Sequence, residues 1–197
     1  MKYLSILLFF SICLFSCEDK DELEKANQYY NSGDYKKAIQ SYNKHLEMKP
    51  AHEIAIYNRG RAYEEIGQYD KAVKDFLKVI EINPRNIGAY LSYGKNFYRE
   101  EDYENAAFQF EKAYKLNTNS TKAATLLARA YHKAGMIDKA MEYYNIAINN
   151  DRENAEAFLY RGALKLYLNQ SGGCNDIQTA KNIGYEGADD LYDEYCK

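Results

Sequence analysis

The sequence predicts an all-α protein built as a solenoid of antiparallel helix pairs, about five repeats followed by a C-terminal capping helix. Three observations carry that expectation. Helix breakers are sparse, with 2 Pro and 11 Gly among 197 residues, which suits long helical stretches. Ala38, Ala72, Ala106 and Ala140 recur at a constant interval of 34 residues, and Cys174 falls on the next tick. The chain carries 21 Tyr and no Trp, and an excess of one large residue is what a repeated unit produces when it uses that residue at a fixed place.

The first element is an address rather than a part of the fold. Lys2 gives a positive start and Leu4 to Phe15 an apolar run, too short to span a bilayer but suited to the core of a signal peptide. The run ends Leu14-Phe15-Ser16-Cys17, which resembles the lipobox of bacterial lipoproteins, with Phe15 departing from the smaller residue usual there. The resemblance implies removal of residues 1–16, a diacylglyceryl thioether on Cys17 and acylation of the new amino terminus by chains such as palmitate. Anchoring would then be firm, because each further buried CH₂ adds ~0.8 kcal/mol. The rival reading is an ordinary secretory signal with a chance Cys. Residues 17–22 form an acidic tether through Glu18-Asp19-Lys20-Asp21-Glu22. That run is either a solvated spacer or similar to the signal that exports some lipoproteins to the cell surface, while an acidic residue directly after the Cys also resembles an inner-membrane retention signal. The expected location is the bacterial cell envelope, on the outer membrane in preference to the periplasmic face of the inner membrane, with the cell surface left open.

The periodic region divides into repeats at 19–52, 53–86, 87–120 and 121–154, a divergent fifth at 155–186 and a capping helix at 187–197. Tyr35, Tyr69, Tyr103 and Ile137 keep the interval, as do Ala26, Gly60, Gly94, Ala128 and Gly162, and Pro50 with Pro84. Gly60-Arg61-Ala62-Tyr63, Gly67-Gln68-Tyr69-Asp70-Lys71-Ala72 and Asn83-Pro84 resemble the tetratricopeptide repeat, whose period is 34. The resemblance implies a right-handed superhelix. Each repeat reads as two helices joined by a short turn, at Ser32-Gly33-Asp34, Ile66-Gly67-Gln68, Glu100-Glu101-Asp102 and Ala134-Gly135-Met136. The small residue of the first helix is expected to face the Ala of the second, where a larger side chain would overpack the crossing by ~1–3 kcal/mol. Tyr63, Phe97 and Tyr131 with Tyr42, Phe76, Phe110 and Tyr144 then fill the space between pairs. In the fifth repeat the turn becomes Asn169-Gln170-Ser171-Gly172-Gly173, Ile177 and Ala180 shift the apolar stripe, and the last helix turns Leu191 and Tyr195 inward as a cap.

The first helix of each repeat lines the inner surface of such a solenoid. Its positions there are Asn27, Arg61, Lys95, Arg129 and Ala163; then Tyr30, Glu64, Tyr98, His132 and Leu166; then Asn31, Glu65, Arg99, Lys133 and Tyr167. The candidate peptide-binding groove is therefore Asn27, Tyr57, Asn58, Arg61, Lys95, Tyr98, Arg99, Arg129, His132 and Lys133. A basic groove on a chain of formal charge -3 points to an acidic or carboxylate-bearing peptide; the bland alternative is a solvated face that is basic by chance. Family members that clamp a C-terminal carboxylate use two Asn and three basic residues. Asn27 and Asn58 match, but Leu23, Gly88 and Ser92 stand where the basic residues belong, so that clamp is absent in its usual form.

Other chemistries find little support. His45, His52 and His132 lie in no metal-ligand spacing, Ser171-Gly172-Gly173 lacks the Lys of a phosphate loop, and no Lys/Arg block reads as a nucleic-acid arm. No catalytic residue, metal or cofactor is expected. Cys13 leaves with the signal and Cys17 is acylated, so Cys174 and Cys196 remain. Outside the cytoplasm they form a disulfide worth roughly 3 kcal/mol by loop entropy, or they pack as two buried thiols. The resulting expectation is a lipid-anchored scaffold or adaptor that binds a protein partner in the envelope, with self-association open. The alternative is a structural accessory subunit of an outer-membrane assembly or nutrient-uptake complex that uses its convex face.

Overall fold

A computed structural model describes residues 22–197, and the leader, the lipidation candidate Cys17 and nearly all of the tether lie outside the described residues. Every regular element described is helical. Residues 22–31 form α1; then follow α2 (Tyr35–Met48), α3 (Glu53–Glu65), α4 (Tyr69–Ile82), α5 (Ile87–Arg99), α6 (Tyr103–Leu116), α7 (Thr121–Lys133), α8 (Ile137–Asn150), α9 (Ala155–Tyr167), α10 (Gly173–Ile183) and α11 (Ala188–Tyr195). Local chemistry sets the boundaries. The side chains of Asp34, Asp102, Ser120 and Asn154 each accept a bond from a backbone N–H in the first turn of the following helix, which satisfies one of the donors a helix start leaves open. Between the two helices of a repeat the chain turns through a left-handed residue at Gly33, Gly67, Glu101, Gly135 and Asn169. Glycine is at ease there, whereas a Cβ costs about 1–2 kcal/mol, so the third repeat carries strain at Glu101.

The chain divides into two compact units between Ser92 and Tyr93, inside α5. In the first unit α2 packs on α3 and α3 on α4, around a core of Ala26, Ala38, Tyr42, Leu46, Ala55, Ile56, Val79 and Ala89. At the crossing of α3 and α4 the atoms nearest Gly60 lie one turn beyond Ala72: a Cβ at 60 would lie 2.8 Å from Phe76 Cε1 and 3.1 Å from Asp75 Cβ. The aromatic one turn beyond the Ala therefore sets how closely the helices approach, because its ring occupies the space a side chain at 60 would need. Across the same crossing the Arg59 guanidinium donates from Nε and Nη2 to both Asp75 oxygens at 2.8 and 2.7 Å and from Nη1 to Asn43 Oδ1 at 2.8 Å. Asp75 is buried, so this fork is what makes its charge tolerable.

The second unit repeats both devices. Gly94 meets Phe110, whose Cε1 would lie 2.6 Å from an added Cβ. Arg161 donates to both Asp176 oxygens at 2.8 and 2.6 Å and to Asn145 Oδ1 at 2.7 Å, and Lys165 adds a bond of 2.8 Å to Asp176. Helices α7, α8, α9 and α10 pack in succession, and α11 lies on α10. Gly173, read from the sequence as part of a turn, is the first residue of α10. A Cβ on Gly162 would lie 2.8 Å from Gly173 O, so the α9–α10 crossing is backbone against backbone. Cys174 and Cys196 are joined by a disulfide with Cα atoms 5.5 Å apart, and Lys181 binds Asp189 at 2.6 Å. The expectation that Tyr195 turns inward is not met, since it is 58% exposed. Helix α11 has only 8 residues, with Ala188 its buried residue at one end and the disulfide at Cys196 holding the other to α10, so the Tyr195 side chain is left outside.

Removing the Arg59 fork should leave a buried, unpaired carboxylate on Asp75. Arg59→Met is expected to lower the urea unfolding free energy by about 2 kcal/mol or more, with Arg59→Met/Asp75→Leu recovering much of the loss. A single variant as stable as the wild type would show that the pair is not structural.

Candidate functional site

The sequence placed ten residues on one face, and the structure sorts them by what each already does. In the first unit, Asn27 on α1 accepts the Tyr42 hydroxyl at 2.7 Å and Asn58 Nδ2 at 3.4 Å on a single oxygen. The two Asn thus hold each other and a buried Tyr. Burial pushes the Tyr42 hydroxyl up to about 12, against a smaller lowering from its Asn58 neighbour, so it stays a neutral donor. Tyr57 leans on Phe76 with centroids 5.9 Å apart, and its hydroxyl would lie 2.7 Å from a Cβ at Gly88. A side chain at 88 would have to displace the Tyr57 ring end, which is a physical reason for that departure from the carboxylate clamp. Arg61 is exposed and lies over the Tyr30 ring at 5.0 Å, a cation–π contact.

In the second unit a cleft of about 400 Å³ is lined by Lys95, Tyr98, Arg99, Phe110, Leu126 and Arg129. Lys95 and Arg99 are exposed, and Arg99 donates to Asn96 Oδ1. Arg129 is half-buried and held from three sides: its guanidinium lies 5.4 Å from the Tyr98 centroid and 4.7 Å from that of Tyr160, and it donates to Glu156 Oε1 at 2.7 Å. Burial, the largest influence on it, works against the charge, but Tyr160, Tyr98 and Glu156 together outweigh burial and raise its pKa. The cation is permanent. Lys133 is exposed at the end of α7. His132 is half-buried and packs edge-on against Tyr144 at 6.5 Å.

Tyr144 lies fully buried in this unit, stacked on Tyr160 at 6.4 Å, and burial drives its hydroxyl far above the usual range. That hydroxyl has no hydrogen-bond partner among the described residues. The repeat register gives the reason. Tyr42 and Tyr144 occupy equivalent positions, but Asn27, which accepts from Tyr42, is replaced by Arg129, and a guanidinium has no acceptor.

Two members of the site escape the sequence reading. Tyr160 and Glu156 belong to positions that hold Asn58, Ser92 and Leu126, and Ile54, Gly88 and Lys122, in other repeats, so neither shows a periodic signal. The acid next to Arg129 is visible only in three dimensions. Among the described residues no group of three or more His, Cys, Asp or Glu side chains could hold a metal ion, and no helix is long and apolar enough to cross a membrane.

Family models described as tetratricopeptide repeat match residues 54–86 and 97–164, and one described as TPR repeat matches 26–67. No curated protein matches the chain. Among similar solved structures, MamA has a TM-score of 0.74 at 21% identity, covering 87% of this chain and 94% of its own. MamA from Desulfovibrio magneticus has 0.72 at 19%, covering 91% and 97%. YrrB, described as a TPR protein with an unusual peptide-binding site, has 0.74 at 21%, covering 94% and 97%. At these identities the likeness is one of fold, a helical repeat solenoid with a C-terminal helix.

The burial of His132 has a pH signature. Burial first, and then Lys133, lower its pKa below 6.5, so the folded state resists a proton that the unfolded chain accepts. Stability is complete above the unfolded value and is lost as pH falls below about 6.5 toward the depressed folded value. Unfolding free energies of wild type and His132→Gln at pH 8 and pH 5.5 should show a smaller acid loss in the variant; equal losses would mean that the ring titrates as it does in water.

Proposed function

We propose, from the premise that this chain belongs to the tetratricopeptide repeat family, that it is a non-catalytic scaffold whose basic cleft binds an acidic, extended segment of a partner protein while Cys17 tethers it to the outer membrane of the cell envelope. The repeat fold is a protein-interaction scaffold in general, and the finer reading rests on one observation: Lys95, Arg99 and Arg129 line a single cleft together with Tyr98, Phe110 and Leu126. A carboxylate is the group such a set recognises. Glu156 supports this from inside the molecule, since its carboxylate already bonds Arg129 at 2.7 Å. An incoming acid must share or displace it. The Leu14-Phe15-Ser16-Cys17 run supports the lipid anchor and gives the protein a role at a membrane surface rather than in bulk solution.

A second reading uses the outer helices of the repeats. Leu77 on α4 is 43% exposed and Phe108 on α6 is 52% exposed, and exposed apolar side chains of this kind suit a structural subunit that packs by its convex face.

One binding series separates the two. With the full chain in detergent, fluorescence anisotropy of a labelled Glu/Asp-rich peptide should show salt-sensitive binding that Lys95→Glu/Arg99→Glu weakens by about tenfold or more, roughly 1.4 kcal/mol. Glu156→Gln should tighten it, because the internal competitor is neutralised. Binding indifferent to both changes would abandon the cleft in favour of the convex face. For the anchor, Cys17→Ser is expected to abolish incorporation of radiolabelled palmitate and to move the protein out of the membrane fraction. Unchanged labelling would exclude that cysteine as the acylation site.

A further inference from the structure

The C-terminal helix leaves an opening where a cap would be expected to close one. Between α9 and α11 lies a recess of about 310 Å³ lined by Ala163, Leu166, Tyr167, Leu191 and Tyr195, apolar or aromatic throughout. Tyr167 is 78% exposed and Tyr195 58% exposed at its rim, a surface that water covers only at a cost. The recess is held from behind: the Cys174–Cys196 disulfide and the Lys181–Asp189 bridge fix α11 to α10. It is therefore preformed, and an occupant would spend little free energy on ordering it.

Its place in the repeat register says what it serves. Ala163, Leu166 and Tyr167 lie one period of 34 beyond Arg129, His132 and Lys133, so the same face of the first helix turns from basic to apolar in moving from α7 to α9. Helix α11 itself carries Asp189, Asp190, Asp193 and Glu194 and no basic residue, which repels acidic side chains, while the apolar lining of the recess disfavours any charged one. Arg129 on α7, the edge of the cleft, and the α9 wall of the recess lie on helices in contact, and neighbouring helices pack ~8–10 Å apart, a span that an extended peptide crosses in roughly three residues.

We infer that this recess seats an aliphatic or aromatic side chain of the same partner segment whose acidic residues occupy the Lys95, Arg99 and Arg129 cleft, so that the recognised segment is bipartite, acidic with an apolar anchor roughly three residues away. The inference rests on the reading of that cleft as an acid-binding site. A second copy of the chain fits less well, because a stable dimer needs about 1,200 Å² or more of buried surface and this recess admits little more than one large side chain.

The test uses the full chain in detergent and three labelled synthetic peptides: one with a central run of four acidic residues in a Gly/Ser background, and two that add a Leu three residues beyond the run, on the amino or the carboxyl side. One Leu peptide should bind about tenfold more tightly than the purely acidic one. Tyr167→Glu, at an exposed position, should erase that gain, so that within the variant neither Leu peptide binds more tightly than the purely acidic one. If the acidic peptide binds but neither Leu adds affinity, or the gain survives Tyr167→Glu, this inference fails and the cleft reading stands. If no peptide binds at all, both fall. A wild-type dimer in sedimentation that Tyr167→Glu dissociates would assign the recess to a second copy instead.

Discussion

Everything in the repeat depends on how closely its two helices can approach. At Gly60 and Gly94 the aromatic ring of the second helix stands where a Cβ would be, and at Gly162 a backbone carbonyl does so. A protein interior packs at crystal-like density and cannot absorb an added methyl at such a point without moving a helix. The contact sets the spacing within each pair, and with it the position of every first-helix side chain that lines the face. The candidate binding residues are thus placed by a constraint in which they take no part. The strain tolerated at Glu101, a left-handed residue where the first, second and fourth repeats use Gly, shows how strongly the turn geometry is imposed by that packing.

The buried forks at Arg59 and Arg161 act at the same crossings. Each joins three successive helices through one guanidinium, to an Asp on the helix that follows and an Asn on the helix that precedes. A buried ion pair is seldom a large net source of stability, because desolvation offsets most of its attraction. It does penalise any other arrangement, since a slipped helix would strand a buried charge. Fixing the register in this way suits a fold whose repeats are similar enough to pair out of step.

Much of the fold was legible in the sequence because it is periodic. The 34-residue interval of Ala38, Ala72, Ala106 and Ala140 is a direct image of the packing, and the left-handed residues at Gly33, Gly67, Glu101, Gly135 and Asn169 fall in the turns read from the sequence. What stayed hidden is what does not repeat. The Arg forks recur three periods apart, with Tyr93 and Leu127 in between, and so make no pattern in adjacent repeats. Glu156 and Tyr160 belong to one repeat alone. That the Phe76 ring stands nearest Gly60 was not legible, because the sequence shows that small residues recur but not which atom they make room for. Periodicity reports the scaffold, and the site is written in the departures from it.

The pair formed by positions 27 and 42 and its counterpart at 129 and 144 show how such a departure is made. In the first repeat Asn27 accepts the buried Tyr42 hydroxyl, and the two settle each other's hydrogen bonds. In the fourth, Arg replaces Asn, and the Tyr144 hydroxyl is left buried and unpartnered among the described residues, a loss of about 1–3 kcal/mol. Stability alone would favour Asn at both places. What the exchange provides is a cation held between Tyr98 and Tyr160 and bonded to Glu156, fixed in orientation at the edge of the cleft. Local rules broken at a cost to stability tend to mark function. On that ground Arg129 is better read as a part retained for binding than as a solvated charge on an ordinary helix face.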